Sequence, residues 1–136
     1  IRLPLLKAAS ESGERRVSVS EEGKPAHSIV RLLARRGDFS LLEVQIKTGR
    51  THQIRVHLSH RGYPLLGDPL YGDRVRDAGG PDRLRELIRA LPGQALHAAE
   101  LAFCHPLTGD ELHLEAPPPP ALAALLGWLR AAVAAG

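Results

Sequence analysis

The chain of 136 residues contains no methionine and one cysteine, Cys104. A single thiol excludes an intramolecular disulfide, which fits a reducing, cytoplasmic setting. Aromatic residues are scarce, with one Trp, two Tyr and two Phe, so Leu, Val, Ile and Ala must supply the bulk of any core. Long apolar runs are missing too. The most apolar stretch, 121–136, is interrupted by Arg130 and falls short of the roughly 20 residues that span a bilayer. No signal-peptide pattern opens the chain, so a soluble protein is expected. Ile1 in place of an initiator methionine reads as the start of a fragment whose upstream sequence is not included.

What is present is enough for one ordinary domain with a buried core. Lys and Arg number 18 against 15 Asp and Glu, a net charge of +3. That small excess permits an RNA partner without demanding one. Residues 16–20 alternate apolar and polar and predict a short strand. Residues 26–33 predict a second strand. Residues 40–47 predict a third, with Leu42, Val44 and Ile46 on one face. The turn Arg36-Gly37-Asp38 joins the last two as an antiparallel hairpin. Gly13 marks a turn over 11–14, and Gly23 another over 21–24.

Residues 50–60 lack Gly and Pro and predict a helix, with Ile54 and Leu58 as its apolar stripe and Gly62 as its stop. A Pro- and Gly-bearing loop covers 63–72. A short amphipathic helix is expected over 82–91. A second hairpin is expected from 95–103 and 111–115 around Pro106-Leu107-Thr108-Gly109. Four prolines, 117–120, lead into a final helix over 121–135 whose Leu, Ala and Trp128 dock on the sheet. No repeat and no domain boundary interrupts the chain. The mixed order of strands and helices indicates an α+β domain with a mainly antiparallel mixed sheet and flanking helices.

The chemistry concentrates in residues 47–61, KTGRTHQIRVHLSHR. Lys47, Arg50, Arg55 and Arg61 are cationic, and no Asp or Glu lies between Glu43 and Asp68. Thr48-Gly49 turns into a helix N-terminus, where free N–H groups and the helix dipole favour anions such as phosphate. His52 and Gln53 add donors for sugar or base edges, which makes this a candidate RNA-facing surface. The plainer reading is a solvated basic helix face. Arg55 fits that reading poorly. It lies between Ile54 and Val56, and a buried Arg needs a carboxylate partner.

Other candidates are weaker. His52, His57 and His60 invite a metal reading, but only His57 and His60 share a face, and no Cys or carboxylate joins them at zinc-like spacing. No metal is expected. Asp68, in Gly67-Asp68-Pro69, is read first as a loop residue bonding backbone N–H groups and second as a catalytic acid. Cys104 and His105 are merely adjacent, which is not a nucleophile–base geometry. His97 and His113 read as ordinary strand residues.

Arg50-Thr51-His52-Gln53-Ile54-Arg55-Val56-His57-Leu58, followed by Gly67-Asp68-Pro69-Leu70-Tyr71-Gly72, closely resembles the pseudouridine synthase family of the bacterial ribosomal large subunit type. Further pieces agree in order: Leu3-Pro4-Leu5-Leu6-Lys7, Ser12-Gly13-Glu14-Arg15, Glu22-Gly23-Lys24-Pro25, Leu96-His97-Ala98, His105-Pro106-Leu107-Thr108-Gly109 and Glu115-Ala116-Pro117. The opening segment is most similar to the synthase C branch of that family.

The resemblance implies a C-terminal part of that family's catalytic domain and an enzyme that isomerises uridine to pseudouridine in RNA. Large-subunit ribosomal RNA is the leading substrate and transfer RNA the other. The family uses neither metal nor organic cofactor. An Asp attacks the extruded uridine at the base or at C1′, the glycosidic bond breaks, and a bond to C5 forms. An Arg bridges that Asp, and Arg55 matches it by motif position. The resemblance places the nucleophilic Asp, the active-site Tyr and any N-terminal RNA-binding domain upstream. The chain alone is therefore expected to be inactive. It is also expected to aggregate through an incomplete sheet edge. Lys47, Arg50, Thr51, His52 and Gln53 are the expected RNA contacts. The competing reading is a non-catalytic RNA-binding module.

Overall fold

The computed structural model describes residues 1–9, 15–72 and 82–135. The expected turn over 11–14 lies outside them. The opening residues form a strand not foreseen in the sequence, β1 (Leu5–Ala9), which pairs antiparallel with β2 (Arg15–Val19). Pro4 and a run of neighbouring apolar residues hid its alternation, yet Leu5 and Val17 are its buried face. Leu5 also bridges Lys24, which folds residues 21–24 back against the hairpin.

Next come β3 (Ser28–Arg36) and β4 (Phe39–Ile46), closed by the two-residue turn Gly37-Asp38. Gly37 takes φ 58°, a left-handed value that suits such tight hairpins. The register slips between Leu32 and Ala34, leaving Leu33 as the extra residue of a bulge.

Helix α1 (Gln53–His60) starts three residues later than expected, because His52 has φ 54° and cannot lie in a right-handed helix. It stops as expected at Gly62, with φ 87°. The Tyr63 amide donates to the Leu58 carbonyl and the Gly62 amide to that of Ser59, so two carbonyls of the last turn are satisfied. Helix α2 (Asp82–Arg89), hairpin β5 (Glu100–Cys104) with β6 (Glu111–Glu115), and α3 (Pro120–Ala135) complete the chain.

Every strand pairing among the described residues is antiparallel, in three separate two-stranded ladders. Two small cores hold the first two ladders. Leu5, Val17, Ala26 and Val56 join β1, β2 and α1, with Val19 and Tyr71 packed alongside. Leu84, Leu87 and Leu125 join α2 and α3, flanked by Phe39, Leu122 and Trp128. The final helix does dock on the hairpin as expected. Trp128 meets the Phe39 ring edge-on at 6.3 Å, and the Arg36 guanidinium lies 3.8 Å from the indole centroid. No described helix is long and apolar enough to cross a membrane.

Candidate functional site

Helix α1 buries polar residues as well as apolar ones. Gln53, Arg55, Val56, His57 and Leu58 are all buried, and Ile54, expected in the apolar stripe, is only half-buried. Gln53 and His57 are four residues apart, so both project onto one face. There they meet Ser28 at the start of β3. The Gln53 Nε2 donates to Ser28 Oγ (3.0 Å) and to the His27 carbonyl (3.0 Å), while its Oε1 accepts from Thr48 Oγ1 (2.7 Å) and the Arg50 amide (3.0 Å). All four bonds of the amide are thus internal.

His57 is fully buried, with its Nε2 2.8 Å from the Leu3 carbonyl and its Nδ1 2.9 Å from Ser28 Oγ. A carbonyl can only accept, so Nε2 carries the proton and Nδ1 accepts from the serine. Burial, opposed in part by the Leu3 bond, lowers the pKa of His57 below its ordinary value. The imidazole is neutral and structural. The histidines therefore do not converge on a metal: His57 is saturated, His52 points elsewhere and His60 is exposed.

Arg55 lies on the other side of the helix. Its Nε donates to Asp68 Oδ2 (2.8 Å) and its Nη2 to Oδ1 (2.7 Å). The Asp68 side chain is 0% exposed and that of Arg55 10%. The carboxylate partner that a buried Arg requires is present in this chain. Oδ1 also accepts from the Leu70 and Tyr71 amides, as expected of an Asp that fixes its loop. Burial pushes the Asp68 carboxyl up, but the Arg55 and amide hydrogen bonds outweigh it and hold the group below its usual range. The same Asp68 hydrogen bonds raise the pKa of Arg55. Both groups stay charged at neutral pH.

Tyr71 closes the cluster. Its ring lies 5.1 Å from the Arg55 guanidinium carbon and 5.8 Å from that of Arg16. Its hydroxyl accepts from the Val17 amide (3.0 Å) and sits 2.9 Å from His52 Nδ1. The bond between the hydroxyl and Nδ1 forms with either ring tautomer of His52. Burial and then the charge of Arg55 lower the pKa of His52. His52 is held in a left-handed backbone conformation that costs about 1–2 kcal/mol.

The expected RNA contacts separate in space. Lys47 and Thr51 are exposed, and Arg50 and His52 are half-buried beside them on the turn before α1. Arg50 already donates through Nε to the Pro25 carbonyl (2.9 Å). Gln53 is 4% exposed and faces inward. Its place among the RNA contacts is corrected by this geometry, because no amide valence remains for a ligand. Asp68 was legible as a loop residue but not as the partner of Arg55. One signal was there: with no acid over 44–67, Asp68 is the first carboxylate after Arg55. Tyr71 and Arg16 carried no comparable signal.

A sequence model of the RNA pseudouridylate synthase family matches residues 4–60. This interval contains α1 and Arg55. The chain belongs to the pseudouridine synthase family. Ribosomal large subunit pseudouridine synthase D of Vibrio parahaemolyticus is 43% identical over 115 residues, covering 84% of this chain and 35% of its own. Synthase C of Salmonella typhimurium is 43% identical over 130 residues, covering 96% of this chain and 40% of its own. The C and D types match about equally well. The chain spans about a third of the length of such curated relatives. Among solved structures, human RNA pseudouridylate synthase domain containing 4 superposes with a TM-score of 0.63 at 25% identity, over 96% of this chain and 55% of that one. The fold is a partial α+β domain of pseudouridine synthase type.

Proposed function

We propose that the whole protein isomerises uridine to pseudouridine in RNA, with large-subunit ribosomal RNA as substrate, in the cytoplasm and without metal or organic cofactor. The observation that carries the reading is Arg55 itself. It is a buried guanidinium on the family's matched segment, one turn from an exposed cationic edge. Asp68 engages Nε and one hydrogen of Nη2. Among the described residues nothing accepts from Nη1.

The remaining N–H groups of the guanidinium suit a second carboxylate, the nucleophile, supplied from outside these 136 residues. The carboxylate adds to the extruded uridine, the C1′–N1 bond breaks, the uracil turns, a C1′–C5 bond forms as the carboxylate is released, N1 takes up a proton and the C5 proton leaves to solvent. Lys47, Arg50 and Thr51 meet RNA phosphates, and the His52 imidazole meets a sugar or base edge.

Tritium release from RNA carrying C5-tritiated uridine tests the reading. The full-length protein should release tritium, and the 136-residue chain alone should not. Arg55→Lys keeps the charge but loses the planar fork. It should lower turnover on the order of 100-fold, the loss typical of a misplaced reacting group, with RNA binding retained. Salt-sensitive RNA binding without any release by the full-length protein would favour the non-catalytic binding module instead.

A further inference from the structure

We propose that Lys7 of β1 and Arg16 of β2 form a second phosphate-binding edge beside His52, separate from Lys47 and Arg50 on the turn before α1. The inference rests on the pseudouridine synthase reading above. It extends the RNA surface of that reading to strands that carried no such signal in the sequence.

The alternation of β1 puts Lys7 on the same face as Leu5, and its ladder partner is Val17. Leu5 and Val17 are buried with Val56 of α1. Lys7 itself is exposed, so it stands where that small core gives way to solvent. Its charge reaches His52. Burial and the Arg55 charge lower the pKa of that histidine first, and Lys7 adds to them.

Arg16 arrives from the other strand of the ladder. Its Nη2 donates to the Leu70 carbonyl (3.3 Å), and its guanidinium carbon lies 5.8 Å from the centre of the Tyr71 ring. The hydroxyl of that same ring is 2.9 Å from His52 Nδ1. Lys7 thus acts on His52 directly, and Arg16 neighbours it through Tyr71.

The charge of these two residues is uncompensated. Other exposed cations are bridged, Arg31 to Glu43 and Arg83 to Glu86. Among the described residues no carboxylate bridges Lys7 or Arg16. The acid of this neighbourhood, Asp68, has a side chain 0% exposed and is spent on Arg55. An exposed positive edge with no acid of its own attracts an anion. Arg16 is also held ready for one. The Leu70 carbonyl and the Tyr71 ring fix its plane, so little further ordering is needed to present the free N–H groups to a phosphate. Two cationic edges on separate elements suit base extrusion. The nucleotide swings out about its backbone, and phosphates held at two places anchor that backbone while it turns.

The test is RNA binding by the full-length protein carrying Lys7→Gln and Arg16→Gln, singly and together. The probe is a transcript of large-subunit ribosomal RNA, titrated across a salt series beside a thermal melt. Each substitution should reduce the slope of log affinity against log salt by about 1. The double variant should weaken binding on the order of 10-fold at fixed salt. Arg16→Lys keeps the charge and should restore the slope. Arg83→Gln removes an exposed, ion-paired arginine on α2 and is the control, with a slope equal to the wild type.

A slope unmoved by both Gln variants, or moved as far by Arg83→Gln, would overturn the proposal. So would a lower melting temperature in Arg16→Gln and Arg16→Lys alike with affinity kept, which would make Arg16 only a structural prop for Tyr71. If the wild-type protein released no tritium from C5-tritiated uridine, the underlying reading would fall, and the proposal with it.

Discussion

At the scale of single residues, the molecule spends its buried polar groups in two places, His57 and the Arg55–Asp68 pair, and each titrates in its own window. The folded pKa of His57 lies below its ordinary value of 6.5. Protons therefore bind the unfolded chain first. Its contribution to stability is fully present above about pH 6.5 and is lost as pH falls below it. Melting temperature should drop between pH 7.5 and 5.5, and His57→Gln should flatten that slope while lowering stability overall. A slope unchanged in His57→Gln would assign the effect elsewhere. The Asp68 carboxyl, also lowered, contributes above its ordinary value of 3.8 and is lost only as pH falls further. Breaking the pair by Arg55→Ala should cost about 3–5 kcal/mol in chemical denaturation, because it leaves a buried, uncompensated carboxylate. The need for a partner at Arg55 was legible from its apolar neighbours Ile54 and Val56. The burial of Gln53 and His57 was not, because helical spacing shows that they share a face but cannot say that the face is lined by Ser28 and backbone carbonyls.

At the scale of elements, β3, β4, β6, α2 and α3 were legible within a few residues, since each has a clear period or a Gly or Pro boundary, while β5 was expected from 95 and begins at Glu100. Failures occurred where the backbone broke local rules. The expected helix over 50–60 loses its first three residues to the left-handed His52, which propensity does not foresee in a non-glycine residue. β1 was hidden because its pairing partner and its contact with Lys24 decide it, not its own pattern. That contact is tight. A Cβ on Gly23 would stand 2.8 Å from the Leu5 nitrogen and closer still to its carbonyl group. Backbone cannot yield as a flexible side chain would, so Gly23→Ala should destabilise the β1–β2 unit by about 1–3 kcal/mol. Hydrogen exchange at the Leu5 and Lys24 amides should rise in that variant. Protection equal to the wild type would show that the bridge tolerates the methyl group.

At the scale of the whole molecule, apolar surface is left uncovered. In β5 and β6, Leu101 pairs Leu114 and Phe103 pairs Leu112, so one face of the hairpin is apolar throughout. Leu101 and Leu114 are more than half exposed, as is Leu32 on β3. Each ladder among the described residues has only two strands, which leaves strand edges that no third strand covers. The isolated 136 residues should therefore self-associate as concentration rises. Light scattering after size exclusion checks this, and a monodisperse monomer with a cooperative melt would refute it. That the chain is one α+β unit was legible in its order of strands and helices; that its core divides in two was not, because the division depends on which helix meets which hairpin. The division has a practical use. Trp128 is the only indole in the chain, and it lies in the seam between α3 and the β3–β4 turn, beneath Arg36 and against Phe39. The cluster around Arg55 holds a tyrosine but no indole. Emission excited at wavelengths only indole absorbs thus reports the seating of α3 alone, and its red shift on unfolding serves as a built-in optical label for one half of the molecule while the other half is followed by exchange.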